Sequence, residues 1–323
     1  MNDLAIVILN YNGSEDTIEC LESLKNSKTE YNYNIFLLDN GSNMEQLKVI
    51  SQYVSEKNDY KVIAYDDFSG EDFAENCFII SEENWGFAGG NNRIVNKIYD
   101  RFKFILLLNN DTIVTEDFIQ IMLEYLNKNS DVGFASCRIN NYYDKSLLWN
   151  CGGKLYSWGV RKYYSENYLK VSRDVINAEF ITGCALFVRN KIIKEYGFLT
   201  YDFFHGEEDF NFCWRMKKHK IKGICINRPL VFHKVSASSK ESGIAPGKIV
   251  GYYANRIIDM KKFYNRFIWI MWREILIFVM SIKWKMMGIP FQQIVKMVGI
   301  LRRASRKDKM TKETTLNIWN MTF

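Results

Sequence analysis

Three places in this sequence hold residues whose types and spacing suit chemistry. Asn109-Asn110-Asp111 directly follows the apolar run 104–108. A carboxylate on a turn at the carboxyl end of a buried strand can hold a hard divalent cation through oxygen, leaving coordination positions open for diphosphate oxygens. The same Asp111-Thr112 pair would equally serve a plainer purpose, capping the helix that follows. The second place is His205-Gly206-Glu207-Glu208-Asp209. One or two acids at a helix start complement the helix dipole, and a third leaves Glu208 or Asp209 to act as a general base toward an attacking hydroxyl. The third is His233, one of only three histidines, at the end of an apolar strand and ahead of Lys234, Ser236, Ser238 and Ser239. A neutral imidazole there can ligate a metal, although a lone histidine more often has a structural role.

These residues need elements to position them, and the first 130 residues alternate strand and helix signals. The apolar run 4–9 ends at Asn10-Tyr11-Asn12-Gly13, and Ser14 is placed to cap a helix carrying Glu15 and Asp16 in its first turn. Residues 35–38 form a second short strand ending in Asp39-Asn40-Gly41-Ser42, and residues 46–54 read as the next helix. Further strands are expected at 77–81 and 104–108, with helices from about Asn91 and about Thr115. The alternation predicts an α/β fold, a mostly parallel sheet flanked by helices with a Rossmann-like nucleotide-binding half. In such sheets ligands bind beyond the carboxyl ends of the strands, which directs attention to Asn10 to Asn12, Asp39 to Ser42, Asn84 to Asn92 and Asn109 to Asp111. Trp85-Gly86-Phe87-Ala88-Gly89-Gly90-Asn91-Asn92 reads as a tight turn ahead of a helix, with neither dinucleotide nor Walker spacing. A nucleotide-binding oxidoreductase would carry its glycines after the first strand, where only Gly13 is found. Between Asp131 and Ala178 the pattern weakens into short aromatic strands and turns, and a last strand is expected at 223–226, before Pro229.

Seven scattered cysteines without a C-x-x-C pair suggest neither a disulfide framework nor a zinc site, and the first residues lack the basic stretch of a secretory signal. A cytoplasmic protein is expected. Residues 240–310 carry 15 Lys/Arg against 4 Asp/Glu, a net +11 that leaves −5 for the rest of a chain of net +6. This basic stretch is interleaved with Trp269, Trp272, Phe278, Trp284 and Phe291, a mixture that favours an anionic lipid surface over nucleic acid. Its apolar runs, 267–272 and 275–282, are broken by Arg273 and Glu274 and fall short of the roughly 18 residues a spanning helix needs. Residues 236–247, rich in small side chains and ending in Pro246-Gly247, read as a linker. The expected division is therefore residues 1–240 as one domain and 241–323 as a C-terminal amphipathic helical extension. That extension would lie on the inner face of the plasma membrane or contact a second copy in a homodimer.

Taken in order, the motifs resemble the family 2 glycosyltransferases of the GT-A fold, particularly a rhamnosyltransferase-like branch. The resemblance is carried by Val7-Ile8-Leu9-Asn10-Tyr11-Asn12-Gly13, Asp39-Asn40-Gly41-Ser42, Glu83 through Asn92, Leu107-Leu108-Asn109-Asn110-Asp111-Thr112, Gly183 through Arg189, Glu208-Asp209-Phe210-Asn211-Phe212-Cys213-Trp214-Arg215, and His233, so that it spans roughly the first 240 residues. It implies an inverting sugar transfer from a nucleotide-diphosphate donor, dTDP-rhamnose or a UDP-hexose, to a hydroxyl of a glycan or lipid-linked acceptor in cell-surface polysaccharide synthesis. Asn10, Tyr11, Asn12 and Asp39 would line the nucleotide pocket, with Asn84, Gly90, Asn91 and Asn110 near the diphosphate and donor sugar. Asp111 and His233 would hold a divalent cation, Mg2+ or Mn2+, and Asp209, with Glu208 beside it, would be the catalytic base. Three positions depart from the pattern. Asn109 and Asn211 stand where acids are common, and Lys234 stands in place of a second histidine, where it would offer positive charge to the diphosphate. A non-catalytic nucleotide-sugar or carbohydrate-binding homologue is the alternative these departures raise.

Overall fold

The continuous apolar runs become buried strands. The computed structural model describes residues 2–71, 75–235 and 246–321. Its first part runs β1 (Asn2–Asn10), α1 (Ser14–Lys25), β2 (Tyr33–Asn40), α2 (Met44–Lys57), β3 (Tyr60–Ala64), β4 (Asn76–Ser81), α3 (Gly86–Ile98) and β5 (Phe102–Asn109). These five strands are all parallel, in the order β3-β4-β2-β1-β5. Register aligns their ends: Asn10 lies opposite Asp39, Asn40 opposite Ser81 and Leu9 opposite Asn109. The polar residues that close the strands thus share the carboxyl end of the sheet.

The second part is more mixed: β6 (Thr112–Val114), α4 (Phe118–Lys128), β7 (Val132–Asn141), β8 (Leu148–Asn150), β9 (Gly153–Leu155), β10 (Arg161–Tyr163), α5 (Glu166–Lys170), β11 (Val175–Asn177), β12 (Ala185–Arg189), α6 (Asn190–Tyr196), α7 (Glu208–Lys218) and β13 (Lys222–His233). Antiparallel β12 joins β5 to β7, and β7 pairs in parallel with β13, completing an 11-stranded sheet. Two apolar layers pack on its faces, one holding Leu4, Ile6, Ile8, Leu106 and Met122, the other Ala5, Val7, Leu107 and Ile94.

Several local expectations need correction. The glycine-rich stretch is not a turn before a helix from Asn91, because α3 already begins at Gly86. Gly86 has φ +73, and a Cβ there would lie 2.0 Å from the Phe204 carbonyl oxygen, so the chain can pass that point only without a side chain. Ser14 does not cap α1; it is the first helical residue, and its hydroxyl donates to Gln46 Oε1 at 2.7 Å. The last strand is 12 residues long and runs through Pro229, which register shifts on either side of the proline accommodate. Most of the linker expected at 236–247 lies outside the described residues, while Pro246 and Gly247 open a helix, where a proline's missing N–H costs nothing.

Among the described residues four helices follow: α8 (Pro246–Met260), α9 (Arg266–Met286), α10 (Phe291–Ala304) and α11 (Lys312–Trp319). Val250, Ala254, Ile257 and Ile258 of α8 are fully buried in the same apolar layer as Phe203 and Phe212. Helix α9 is apolar on two sides. Trp269, Ile277, Met280 and Trp284 face inward, whereas Phe267, Met271, Ile275, Phe278, Ile282 and Met286 recur every three or four residues and stand 47–83% exposed. Among the described residues, no helix is long and apolar enough to cross a membrane.

Candidate functional site

Asn10 is buried at the end of β1 and ties together β2, the turn at Gly13 and α1. Its amide donates to Asp39 Oδ2 at 2.7 Å, and its Oδ1 accepts from Gly13 N–H and the Thr17 hydroxyl. Asp39 is fully buried, with its Oδ1 taking the Ser42 N–H at 3.0 Å. Asn12 adopts a left-handed backbone (φ +53) and is pinned by Ser42 and Asn43, while Tyr11 beside it is 52% exposed. The expected nucleotide-side residues therefore converge, with Asn10 and Asp39 as the buried frame and Tyr11 and Asn12 as the exposed rim.

Asn84 extends the frame toward α3. Its Oδ1 accepts from Asn40 Nδ2 and from Gly86 N–H. Gly90 and Asn91 lie beneath this edge rather than on it: both are buried, and a Cβ on Gly90 would come within 2.5 Å of Leu9 Cδ1. Asn110 bridges from the β5 end to α1, donating to Thr17 Oγ1 at 2.9 Å.

Asp111 and His233 meet. His233 Nε2 is 3.0 Å from Asp111 Oδ1, and β6 pairs with β13 so that His233 lies opposite Thr112. The imidazole packs edge-on against Trp149, and its Nδ1 is buried with no hydrogen-bond partner among the described residues. Among the described residues no cluster of three or more His, Cys, Asp or Glu side chains forms a metal cage. The pair nonetheless fits a divalent cation. An adjacent carboxylate and imidazole supply the oxygen and nitrogen donors that such an ion takes, so Asp111 and His233 would be the residues to hold it. The ammonium of Lys234, the residue expected to offer positive charge to the diphosphate, is held by Asp16 at 2.7 Å and Glu19 at 2.9 Å.

Asp209 is the second residue of α7 and is reached from the β5 end through one dipeptide. Cys184 O accepts from Asn109 N–H, and the neighbouring Gly183 N–H donates to Asp209 Oδ2 at 3.2 Å. Burial raises the Asp209 carboxyl to about 6, with the Gly183 and Phe210 N–H groups pulling against that rise. Burial, reinforced by the Asp209 charge, pushes Glu208 to about 8, and its Oε2 has no hydrogen-bond partner among the described residues. These shifts favour the protonated form of Glu208 and leave the partly buried Asp209 the readier of the two to ionise near neutral pH.

Sequence reasoning gave no role to Gly183, whose N–H steadies Asp209, or to Arg161, whose guanidinium grips Glu207. Gly183 belongs to one of the stretches that carry the resemblance, but nothing local marks Arg161.

A model of the family described as Glycosyl transferase family 2 matches residues 5–197. The match takes in Asn10 through Asp111 and Gly183 but ends before Asp209 and His233. No curated protein matches the chain. Among solved structures, S. aureus TarS 1-349 in complex with UDP-GlcNAc aligns at TM-score 0.53 and 9% identity, over 95% of this chain and 88% of that one. S. aureus TarS aligns at TM-score 0.52 and 10% identity, over 87% of this chain and 43% of that one. TarS 1-349 in complex with UDP aligns at 0.50 and 11%, over 80% of this chain, which spans 65% of that structure. At these identities the alignments show a shared fold alone.

Proposed function

The chain belongs to glycosyl transferase family 2 and has the GT-A fold, and from that premise we propose that it is a metal-dependent, inverting enzyme that moves a sugar from a nucleotide diphosphate onto an acceptor hydroxyl. The observation that carries this reading is the placement of the Asp111–His233 pair and Asp209 at the same end of β5, one joined through β6 and the other through Gly183-Cys184. Asn10, Tyr11, Asn12, Asp39, Asn84 and Asn110 form the donor side, with Gly90 and Asn91 backing it. Asp111 and His233 would hold Mg2+ or Mn2+, which when bound neutralises charge on the diphosphate. Asp209 accepts the proton of the acceptor hydroxyl as its oxygen attacks the anomeric carbon. The bond from that carbon to the diphosphate breaks in the same displacement, and its electron pair leaves with the diphosphate.

The donor is a uridine or thymidine diphosphate sugar, with dTDP-rhamnose and UDP-hexoses the first to test; the TarS complexes with UDP and UDP-GlcNAc make the uridine series a natural starting set. The acceptor is a glycan or lipid-linked sugar of a cell-surface polysaccharide. The exposed apolar stripe of α9, together with the exposed cations Lys283, Lys285, Lys296 and Arg303, supports work at the anionic inner face of the plasma membrane. Thermal-shift screening of nucleotide sugars with manganese, followed by a transfer assay with the best binder, tests the reading. Metal-independent binding with neither hydrolysis nor transfer would assign the chain to the non-catalytic alternative.

A further inference from the structure

Glu207, two residues before Asp209, has φ +87, and Gly206 before it has φ +83. Two successive left-handed residues, one of them bearing a side chain, persist only where the surroundings hold them. Three groups do so. Asn255 of α8 donates through Nδ2 to the carbonyls of both His205 and Gly206, at 2.9 Å each. Tyr252, one turn earlier on α8, packs so closely on Gly206 that a Cβ there would meet its ring at 3.0 Å. From the other side Arg161 of β10 grips the Glu207 carboxylate with both terminal nitrogens, one at 2.9 Å, while its guanidinium lies 3.6 Å from the centre of the Phe210 ring.

A second grip lies one turn further along each helix. Asn211 donates to Asp259 Oδ1 at 2.6 Å, and Asp259 follows Asn255 by four residues, on the same face of α8. Asn211, Asn255 and Asp259 are all buried, at 3%, 2% and 0% exposure. We infer that α8 is part of the catalytic centre: Asn255, with Arg161 opposite it, is a positioning residue that fixes the 205–207 backbone and thereby the direction in which Asp209 enters the site. This inference rests on Asp209 being the base. It brings into the reaction an element that lies beyond the family match, which ends at residue 197.

The test is Asn255→Ala in the full chain, assayed with manganese and the nucleotide sugar that thermal shift selects. Displacement of a base by about 1 Å costs on the order of a hundredfold, so kcat should fall roughly ten- to a hundredfold, with donor KM and nucleoside-diphosphate affinity within about twofold of wild type. In an Asp209→Asn background the same substitution should cost almost nothing more, because a misplaced group that no longer takes protons cannot be misplaced further. Unchanged kcat, a matching loss of nucleotide affinity, or a full additional loss in the Asp209→Asn background would overturn the inference. Should Asn255→Ala fail to fold, Asn255→Leu keeps the shape, removes only the amide, and is judged by the same criteria. Wild-type turnover by Asp209→Asn alone would instead reject the base, and this inference with it.

Discussion

His233 Nε2 stands 3.0 Å from Asp111 Oδ1, although 122 residues separate them, because β13 returns along β6 and delivers the imidazole to the turn after β5. If the pair holds the cation, Asp111→Ala should abolish turnover and the metal-dependent part of nucleotide binding. His233→Ala, which leaves the carboxylate, should weaken manganese affinity roughly 10- to 100-fold. Calorimetric titration of manganese with uridine or thymidine diphosphate reads both effects. Full activity of Asp111→Ala at saturating metal and donor would remove the assignment.

Asp209 and Glu208 are neighbours with different surroundings, and a base must be both ionised and accessible. Asp209→Asn should lower kcat by roughly a hundredfold or more with donor affinity little changed, and Glu208→Gln should cost much less. Because burial raises the Asp209 carboxyl to about 6, kcat/KM should decline as pH falls through that value. A profile flat down to about pH 5, or a larger loss in Glu208→Gln, would move the base elsewhere.

Glu208 and Asp259 also bear on stability. Burial raises both, Glu208 to about 8 and Asp259 in the same direction, so the folded protein retains protons that the unfolded chain would release. The folded state then binds more protons, and the stability these groups contribute below the ordinary carboxyl range is lost as pH rises through about 8. Thermal melts from about pH 5 to pH 9 should show this decline, and Glu208→Gln should flatten it. An identical slope in that variant would show that Glu208 titrates normally.

What could be read in advance followed from range. The runs 4–9 and 104–108 are continuously apolar because both faces of their strands are covered, and that pattern is local. Strand β7 contains Gly133, Ser136 and Cys137, which weaken any local strand signal; it forms because Phe134 and Ala135 pair with Val188 and Phe187 of β12. The site divides in the same way. Asn10 and Asp39 close apolar runs and Asp111 follows β5, so they could be found by position, whereas Arg161 meets Glu207 across 46 residues and Asn255 meets Gly206 across 49, contacts that exist only once the chain has folded.

The outward stripe of α9 gives the last prediction. Phe267, Met271, Phe278 and Ile282 are 47–72% exposed, so replacing all four with serine removes apolar surface without opening the core. Lys283, Lys285, Lys296 and Arg303 are exposed on the same pair of helices, and each cation near an anionic bilayer contributes about 1 kcal/mol. The wild-type chain should cosediment with anionic vesicles, release them at high salt and bind neutral vesicles poorly. The four-serine variant should bind anionic vesicles at least roughly tenfold more weakly at an unchanged melting temperature. Point substitution is the right instrument, because truncation ahead of α8 would also strip Val250, Ala254, Ile257 and Ile258 from the core. If the stripe instead joins two copies of the chain, wild type should form a salt-insensitive dimer that the same four substitutions dissociate, and vesicle binding should be absent from both proteins.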